Sequence, residues 1–304
     1  MFSDYTQGIM IIACINMIAV LGISVLTGFT RLFSFGNAGF MSIGAYTSAL
    51  LTAKMGMPFI PAILVGILFA GIAAYLLGSL TLKLKGDYFL ITTLGFGEMV
   101  RVLFNYIPIT GGARGLSGIP KYTTLPIAVI CLVLAVIIAW TLIHSKYGRN
   151  FTAIREQEIA AESVGIDITR SKKMAFVFSA MFAGWAGALY AHNLMFLSPM
   201  MFNLAKSAEL TITVVIGGLG SLTGSIFGSL VVTLLPEIFR SLANYRMFLY
   251  GLAVVLIIIL RPAGLFGYRE FSIRKSIAFV KAAPGTITAL LKGKSSKDKM
   301  EARK

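Results

Sequence analysis

Charged residues are scarce in this chain. Asp, Glu, Lys and Arg make up 13% of the 304 residues, whereas 57% are hydrophobic and the mean hydropathy is +0.84. Soluble globular domains carry about 25% charged residues. The composition therefore excludes an ordinary soluble domain and indicates a bundle of membrane helices.

Cysteine and histidine are also scarce. The two cysteines, Cys14 and Cys131, each lie inside an apolar run, which excludes a disulfide framework. His192 has no second histidine, cysteine or carboxylate cluster at ligand spacing, so we predict no metal site. The chain also lacks a GxxxxGK[ST] sequence, the loop that cradles nucleotide phosphates. We therefore expect it to bind no cofactor itself.

Acidic residues are outnumbered, and the basic residues are unevenly placed. The chain has 27 Lys and Arg against 12 Asp and Glu, a formal charge of +15. Eleven of the 27 fall in residues 261–304 and six in the polar insert Lys146–Lys173. Basic clusters beside apolar spans mark the cytoplasmic side and attract anionic lipid. This placement favours membrane lipid over nucleic acid as the partner.

The apolar segments predict an all-α, polytopic transmembrane bundle of about eight to nine membrane segments, some short or broken. At roughly 20 residues per crossing, we place them at about 9–29, 35–53, 59–81, 88–104, 125–143, 174–195, 208–220, 222–236 and 246–260. Nine crossings put the two ends of the chain on opposite sides. Because the basic insert and the basic tail share a side, the N-terminus is expected outside and the C-terminus in the cytoplasm.

This count divides the chain in two. Residues 1–267 form the predicted transmembrane domain, with 144–173 as a cytoplasmic loop inside it, and 268–304 form a basic cytoplasmic tail. The first apolar run has no basic residues before it and is too long for a cleaved signal, so we interpret it as a span.

The polar insert keeps a helical pattern. Asn150 is a suitable N-cap and Gly165 a suitable left-handed C-terminal cap for one helix over 151–164. Such a helix could lay one apolar face into a groove on a partner while its charges face water or the rim. The apolar set is Phe151, Ile154, Ala161 and Val164, and the charged set is Arg155, Glu156, Glu158 and Glu162. The alternative is an ordinary solvated amphipathic loop.

Glu98 and Arg101 are the most conspicuous charges inside an apolar segment. Three residues apart, they can pair on one helix face. Intramembrane charges usually face the bundle interior or a water-filled cavity, which suggests a translocation path. Equally, Arg101 could lie near the outer interface with Glu98 as its structural partner.

A turn-rich sequence, TGGARGLSGIP, occupies the predicted outer connection at Thr110–Pro120. Its glycines and proline are typical of turns. Backbone N–H groups in such a turn can also receive a carboxylate. We therefore keep Thr110, Gly111 and Gly112 as candidate translocation-path residues beside the plainer turn interpretation.

Two glycine-rich stretches, Ser34–Tyr46 and Gly217–Ser229, punctuate the two halves of the chain. Gly220, Gly224 and Gly228 recur at one-turn spacing, which favours close helix packing, as do Ala180, Gly184 and Ala188. The alternative is that both stretches interrupt helices around a translocation path.

Six motifs in the same order resemble the LivM-type permease of branched-chain amino acid ABC importers. They are SFGNAGFMSIGAY, GDYFLITTLGFGEMVR, TGGARGLSGIP, YGRNFTAIREQEIAAESVGI, VIGGLGSLTGS and RPAGLFG. Within the fourth, EIAAESVGI resembles the cytoplasmic signature by which importer permeases touch their ATPases. The resemblance implies that ATPase coupling falls to Phe151, Ile154, Glu158, Ala160, Ala161 and Gly165.

The resemblance also implies partners and a location. The chain would be a permease subunit, not an enzyme, in a bacterial or archaeal cytoplasmic (inner) membrane. Its partners would be a related permease, two cytoplasmic ABC ATPase subunits that bind and hydrolyse ATP, and an extracytoplasmic substrate-binding protein. The alternatives are an importer of the same type for urea, short amides or another small solute, and an ion-coupled transporter with Glu98 as a proton relay. A membrane scaffold without transport activity is the plainest alternative.

Overall fold

The computed structural model describes residues 4–82, 87–238, 245–261 and 264–265. Within them the chain forms eleven α-helices and one pair of two-residue strands. The helices are α1 (Asp4–Ile23), α2 (Asn37–Ala53), α3 (Phe59–Thr81), α4 (Asp87–Tyr106), α5 (Leu125–His144), α6 (Lys146–Glu156), α7 (Glu158–Ser163), α8 (Ile168–Leu194), α9 (Leu204–Gly217), α10 (Leu222–Ile238) and α11 (Arg246–Leu260). The strands, β1 (Leu116–Ser117) and β2 (Phe196–Leu197), pair antiparallel.

Each of the nine predicted apolar segments is a helix, which confirms the all-α fold class. Among the residues that the structure describes, four stretches are long and apolar enough to cross a membrane: Tyr5–Gly28, Phe59–Thr81, Leu125–His144 and Ile168–Leu194. Two shorter apolar helices cover Leu222–Ile238 and Phe248–Leu260. The number of crossings and the side of each chain end stay predictions. So does the basic tail 268–304, which lies outside the described residues.

Helix α2 lies at the centre of the bundle, in contact with α3, α4, α8 and α9. Where it crosses α8, a methyl group on Gly44 would lie 2.5 Å from the Cα atom of Gly184. Where it crosses α3, a methyl group on Gly66 would lie 2.9 Å from the carbonyl oxygen of Gly44. Without side chains at these crossings, three helices approach backbone to backbone. The packing interpretation of Gly184 is confirmed.

Both glycine-rich stretches contain a helix break. Helix α1 continues into a wider π-helical turn, Ser24–Gly28, and residues 31–36 then run without helical structure until α2 begins. The second break, at 218–221, separates α9 from α10. The stretches therefore combine close packing with interrupted helices. That the interruptions surround a translocation path stays a prediction.

Side chains from distant helices satisfy the backbone at the first break. Thr93 of α4 accepts a hydrogen bond from the N–H of Phe35 (3.2 Å), and Ser207 of α9 accepts one from the N–H of Ala38 (2.9 Å). Non-helical backbone at membrane depth needs such partners, because lipid offers none. The start of α2 is consequently held inside the protein by α4 and α9.

Contacts sort the helix ends into two opposite layers. Tyr5, at the start of α1, donates to Glu237 near the end of α10 (2.8 Å), whereas Gly28 packs against Gly220 just before α10 begins. The insert belongs to the second layer, since Arg155 also reaches Gly220. The start of α1 and the insert therefore lie at opposite ends of α1. Which layer faces the cytoplasm stays a prediction from the basic residues.

Candidate functional site

The polar insert folds into two helices, α6 and α7, instead of the single predicted helix. Ser145 caps α6 by accepting from the N–H of Tyr147 (3.2 Å), so the prediction that Asn150 is the N-cap was wrong. Asn150 lies inside α6 because the helix begins one turn earlier. Gln157 adopts an extended conformation (φ −159°, ψ 113°) and divides α6 from α7.

Gly165 ends α7 as predicted. Its φ is +85°, in the left-handed region that glycine adopts without strain. Its N–H donates to the carbonyl of Glu162 (2.9 Å), and the N–H of Ile166 donates to that of Ala161 (3.1 Å). This pair of bonds is the Schellman arrangement of a helix C-terminus. It turns the chain sharply back toward α8.

The structure places three of the predicted coupling residues inside the subunit. Phe151 and Ile154 on α6 and Ala161 on α7 are buried, with Phe151 fully enclosed. Helix α6 packs against α5 and α8, so its apolar face is covered by this chain's own bundle. A groove that receives Phe151 and Ile154 therefore exists, but it belongs to the same subunit.

A different apolar edge is left open, on α7. Ile159 and Val164 are 75% and 76% exposed, and Glu158, Ala160 and Gly165 beside them are exposed as well. Phe151 and Val164 therefore do not share one apolar face as predicted, because the chain is extended at Gln157 and the insert is not one continuous helix.

Helix α7 is tied to α8. Lys172 of α8 donates to the Glu158 carboxylate (2.6 Å), and the Asp167 side chain caps α8 by accepting from the N–H of Arg170 (2.9 Å). Buried Ala161 fixes the inner face of α7. The exposed edge is consequently presented on a short, well-anchored helix.

Arg155 was expected to face water or the rim of a partner's groove, yet its side chain is only 14% exposed within this chain. The guanidinium pairs with Glu156 (2.9 Å), and its carbon lies 5.8 Å from the centre of the Phe29 ring, within cation–π range. A methyl group on Gly220 would lie 2.6 Å from Nη1 of Arg155. The insert therefore contacts both helix breaks, which its charge pattern did not reveal.

The turn between α9 and α10 is built from glycines. Gly220 has φ +91° and lies in this turn, so its predicted place on a helix face was wrong. Gly224 and Gly228 do lie on α10, where both approach the backbone of Gly217. The N–H of Leu265, within the RPAGLFG motif, donates to the carbonyl of Ile216 at the end of α9 (2.8 Å).

Glu98 and Arg101 form the predicted ion pair, with 2.7 Å between Nε and Oε2. Their side chains are 35% and 26% exposed, and Arg101 also approaches the sulfur of Met200 (3.3 Å). Glu98 lines a small cleft together with Phe35, Asn203 and Ser207, beside the start of α2. The pair is thus stabilised within the chain, and Glu98 borders a narrow cleft.

Thr110, Gly111 and Gly112 form a closed turn after α4. The Thr110 hydroxyl is buried and donates to the carbonyls of Phe104 (2.9 Å) and Ile107 (2.7 Å). Gly111 and Gly112 have positive φ angles, and a side chain on Gly111 would collide with the backbone of Gly115. Turn geometry accounts for all three residues. Their contact with a substrate stays a prediction.

Comparison with known proteins assigns this architecture to a family. A family model described as "Branched-chain amino acid transport system / permease component" matches residues 5–260. The chain belongs to this permease family. It is 36% identical over 300 residues to the "High-affinity branched-chain amino acid transport system permease protein LivM" of Escherichia coli (strain K12), an alignment that covers 87% of this chain and 71% of the relative.

More distant relatives extend the family. The "Probable branched-chain amino acid transport permease protein LivM" of Methanocaldococcus jannaschii is 26% identical over 236 residues, covering 67% of this chain and 68% of the relative. The "Ribose import permease protein RbsC" of Bacillus subtilis (strain 168) is 28% identical over 166 residues, covering 50% and 52%. No solved structure matches the chain. Its membership in a permease family makes this chain a multi-pass transport subunit and not an enzyme.

A second polar network joins α1, α9 and α10. Lys206 of α9 contacts Glu209 (3.3 Å) and Asn16 of α1 (3.2 Å), and Asn16 donates to Thr233 of α10 (3.4 Å). The network thus ties together three helices that are distant in the sequence. Across the described ranges, no three His, Cys, Asp or Glu side chains are grouped to hold a metal ion.

Proposed function

We propose that this permease is the transmembrane subunit of an ATP-driven importer for branched-chain or similar hydrophobic amino acids in the cytoplasmic membrane of a bacterium or archaeon. The 36% identity to a transporter subunit named for these amino acids supports this cargo. The importer would also contain a related permease, two cytoplasmic ATPases that bind ATP, and an extracytoplasmic binding protein.

The exposed edge of α7 is the main support for the proposal that an ATPase docks on the insert. Ile159 and Val164 are large apolar side chains, three-quarters exposed, at the tip of an otherwise polar insert. A short helix that presents such residues fits an apolar groove on a partner. Phe151, Ile154 and Ala161 contribute indirectly, since they anchor the insert to its own bundle, whereas Glu158, Ala160 and Gly165 border the docking edge.

Movement of the docked ATPase would reach the membrane through this anchoring. Glu158 ties α7 to Lys172 near the start of α8, and buried Phe151 ties α6 to the bundle. Closely packed interiors transmit displacement as rigid-body motion instead of absorbing it. A displacement of Val164 would therefore move the N-terminal end of α8. This helix crosses α2 at Gly44 and Gly184.

We place the translocation path beside Glu98 and Arg101. Glu98 borders a cleft just before the start of α2, where the chain is not helical, and interrupted helices commonly flank transport paths. Thr110, Gly111 and Gly112 would shape the outer connection on which the binding protein docks.

A different small solute is the second candidate cargo. The similarity to a permease named for ribose import supports this candidate, because it indicates that related permeases serve chemically different solutes. In that case the binding protein would select the cargo.

Reconstitution in liposomes tests the function. With the partner permease, the ATPases and the binding protein, we expect leucine uptake that depends on ATP. Replacing leucine by urea or ribose, each with a matched binding protein, tests the second candidate. Uptake by this chain alone under a pH gradient would contradict the importer and support an ion-coupled transporter.

Replacing Glu98 with Gln tests the path. We expect transport to fall about tenfold, because the variant loses a charge-assisted hydrogen bond of roughly 1.5 kcal/mol and leaves Arg101 without its carboxylate. Initial rates of uptake in proteoliposomes measure this effect. Glu162→Gln is the control, since Glu162 is an exposed carboxylate in the insert. Full activity of Glu98→Gln would reduce the pair to a structural role.

A further inference from the structure

Three segments far apart in the sequence meet around one side chain of the insert. Arg155 lies near the end of α6, Phe29 follows the π-helical turn of α1, and Gly220 lies in the turn between α9 and α10. Gly28 packs directly on Gly220, where a methyl group would lie 2.6 Å from the Gly220 nitrogen. The two helix breaks therefore touch each other at the point where the insert touches them.

The site is shaped for a guanidinium group. The charge of Arg155 faces the Phe29 ring on one side and its neighbour Glu156 on another, so burial leaves the charge compensated. On the remaining side, the absence of a side chain on Gly220 makes room for Nη1. A bulkier residue at 220 would push the guanidinium out.

Both breaks lead to the cleft beside Glu98. After Phe29 the non-helical residues 31–36 run to the start of α2, and Phe35 lines that cleft. From the turn at Gly220, α9 runs back to Asn203, which lines the same cleft. A displacement applied at Arg155 can thus reach the cleft along two backbone segments, residues 31–36 and α9. Both segments are separate from the route through α8.

We propose that Arg155 is a positioning residue that couples motion of the insert to both helix breaks, and through them to the cleft at Glu98. This inference rests on the proposed ATPase docking at α7. Without the Arg155 side chain, the insert would still bind the ATPase, but motion of the ATPase would displace only the helices that flank the insert. ATP hydrolysis would then continue while less substrate crosses per ATP.

The experiment compares Arg155→Gln with Arg149→Gln in the full importer. Arg149 lies on the same helix and is exposed, so it controls for loss of one positive charge. Three quantities are measured: ATPase association in a pull-down, ATP hydrolysis rate, and amino acid imported per ATP. For Arg155→Gln we expect association and hydrolysis close to wild type, and import per ATP reduced about tenfold, within the 5- to 150-fold span of typical coupling effects. Arg149→Gln should match wild type in all three.

A second variant distinguishes a loss of coupling from misfolding of Arg155→Gln. Phe29→Leu removes the ring and leaves Arg155 in place, and it should also lower import per ATP. Unchanged import per ATP in both variants would overturn the proposal. So would a loss of ATPase association in proportion to transport, because Arg155 would then merely shape the docking edge. Failure of the wild-type importer to need ATP would instead refute the proposed function, so the two failures are distinguishable.

Discussion

Val164→Glu is expected to abolish stable association with the ATPase while leaving the permease folded. Val164 is 76% exposed and lies beside Ile159 on the docking edge. Burying a side chain of this size contributes about 1.5–3 kcal/mol, which corresponds to roughly 10- to 100-fold in affinity. A glutamate there also brings an unpaired charge into the interface, which raises the cost further.

A pull-down of the ATPase by detergent-solubilised permease measures this effect. Thr169→Glu is the matched control, since Thr169 is an exposed residue after the docking edge and receives the same new charge. The thermal midpoint of each variant should equal that of wild type, because neither position is buried. Association that survives both Val164→Glu and Ile159→Glu would show that the ATPase binds elsewhere.

Gly44→Leu is expected to prevent assembly of the bundle. A side chain at this position would overlap the carbonyl oxygen of Gly184 and its Cα atom, which belong to the backbone of α8. Overpacking costs typically about 1–3 kcal/mol when side chains can adjust, and more when they cannot. Helix backbones have little freedom to move apart here, because Gly66 of α3 also approaches Gly44.

Gly95→Leu provides the comparison. It introduces the same side chain into a helix of the same bundle, but a methyl group on Gly95 meets no atom within 4 Å. We expect Gly95→Leu to give a monodisperse protein with a thermal midpoint near that of wild type, and Gly44→Leu to aggregate on solubilisation. Size-exclusion profiles and thermal unfolding in detergent measure both. Equal behaviour of the two variants would contradict the packing assigned to α2, α3 and α8.

The helices were predictable because membrane-length apolar runs have few alternative structures. The predicted segment 59–81 coincides with α3, whose start follows Pro58 and whose end precedes two lysines. The left-handed cap at Gly165 was predictable for a local reason as well, since glycine tolerates positive φ. Features fixed by a few adjacent residues could therefore be derived from the sequence.

The candidate site was harder to predict because periodicity shows which residues share a face, but not what covers that face. Phe151 and Ile154 have the spacing of a buried stripe, and they are buried, yet the covering surface is their own bundle. The charge of Arg155 suggested water, and only the tertiary approach of Phe29 and Gly220 explains its burial. Non-local contacts of this kind leave no pattern within one segment.

The hydroxyl that holds the first turn of α2 has a consequence for biogenesis. The N–H of Ala38 donates to the hydroxyl of Ser207, which lies 169 residues further along the chain. This hydrogen bond cannot form until Ser207 has been synthesised. Until the ribosome has delivered α9, this portion of the nascent protein carries an amide that lipid cannot solvate. Helix α2 is consequently expected to reach its final position late during synthesis. Fragments truncated before α9 should be degraded preferentially by membrane quality-control proteases.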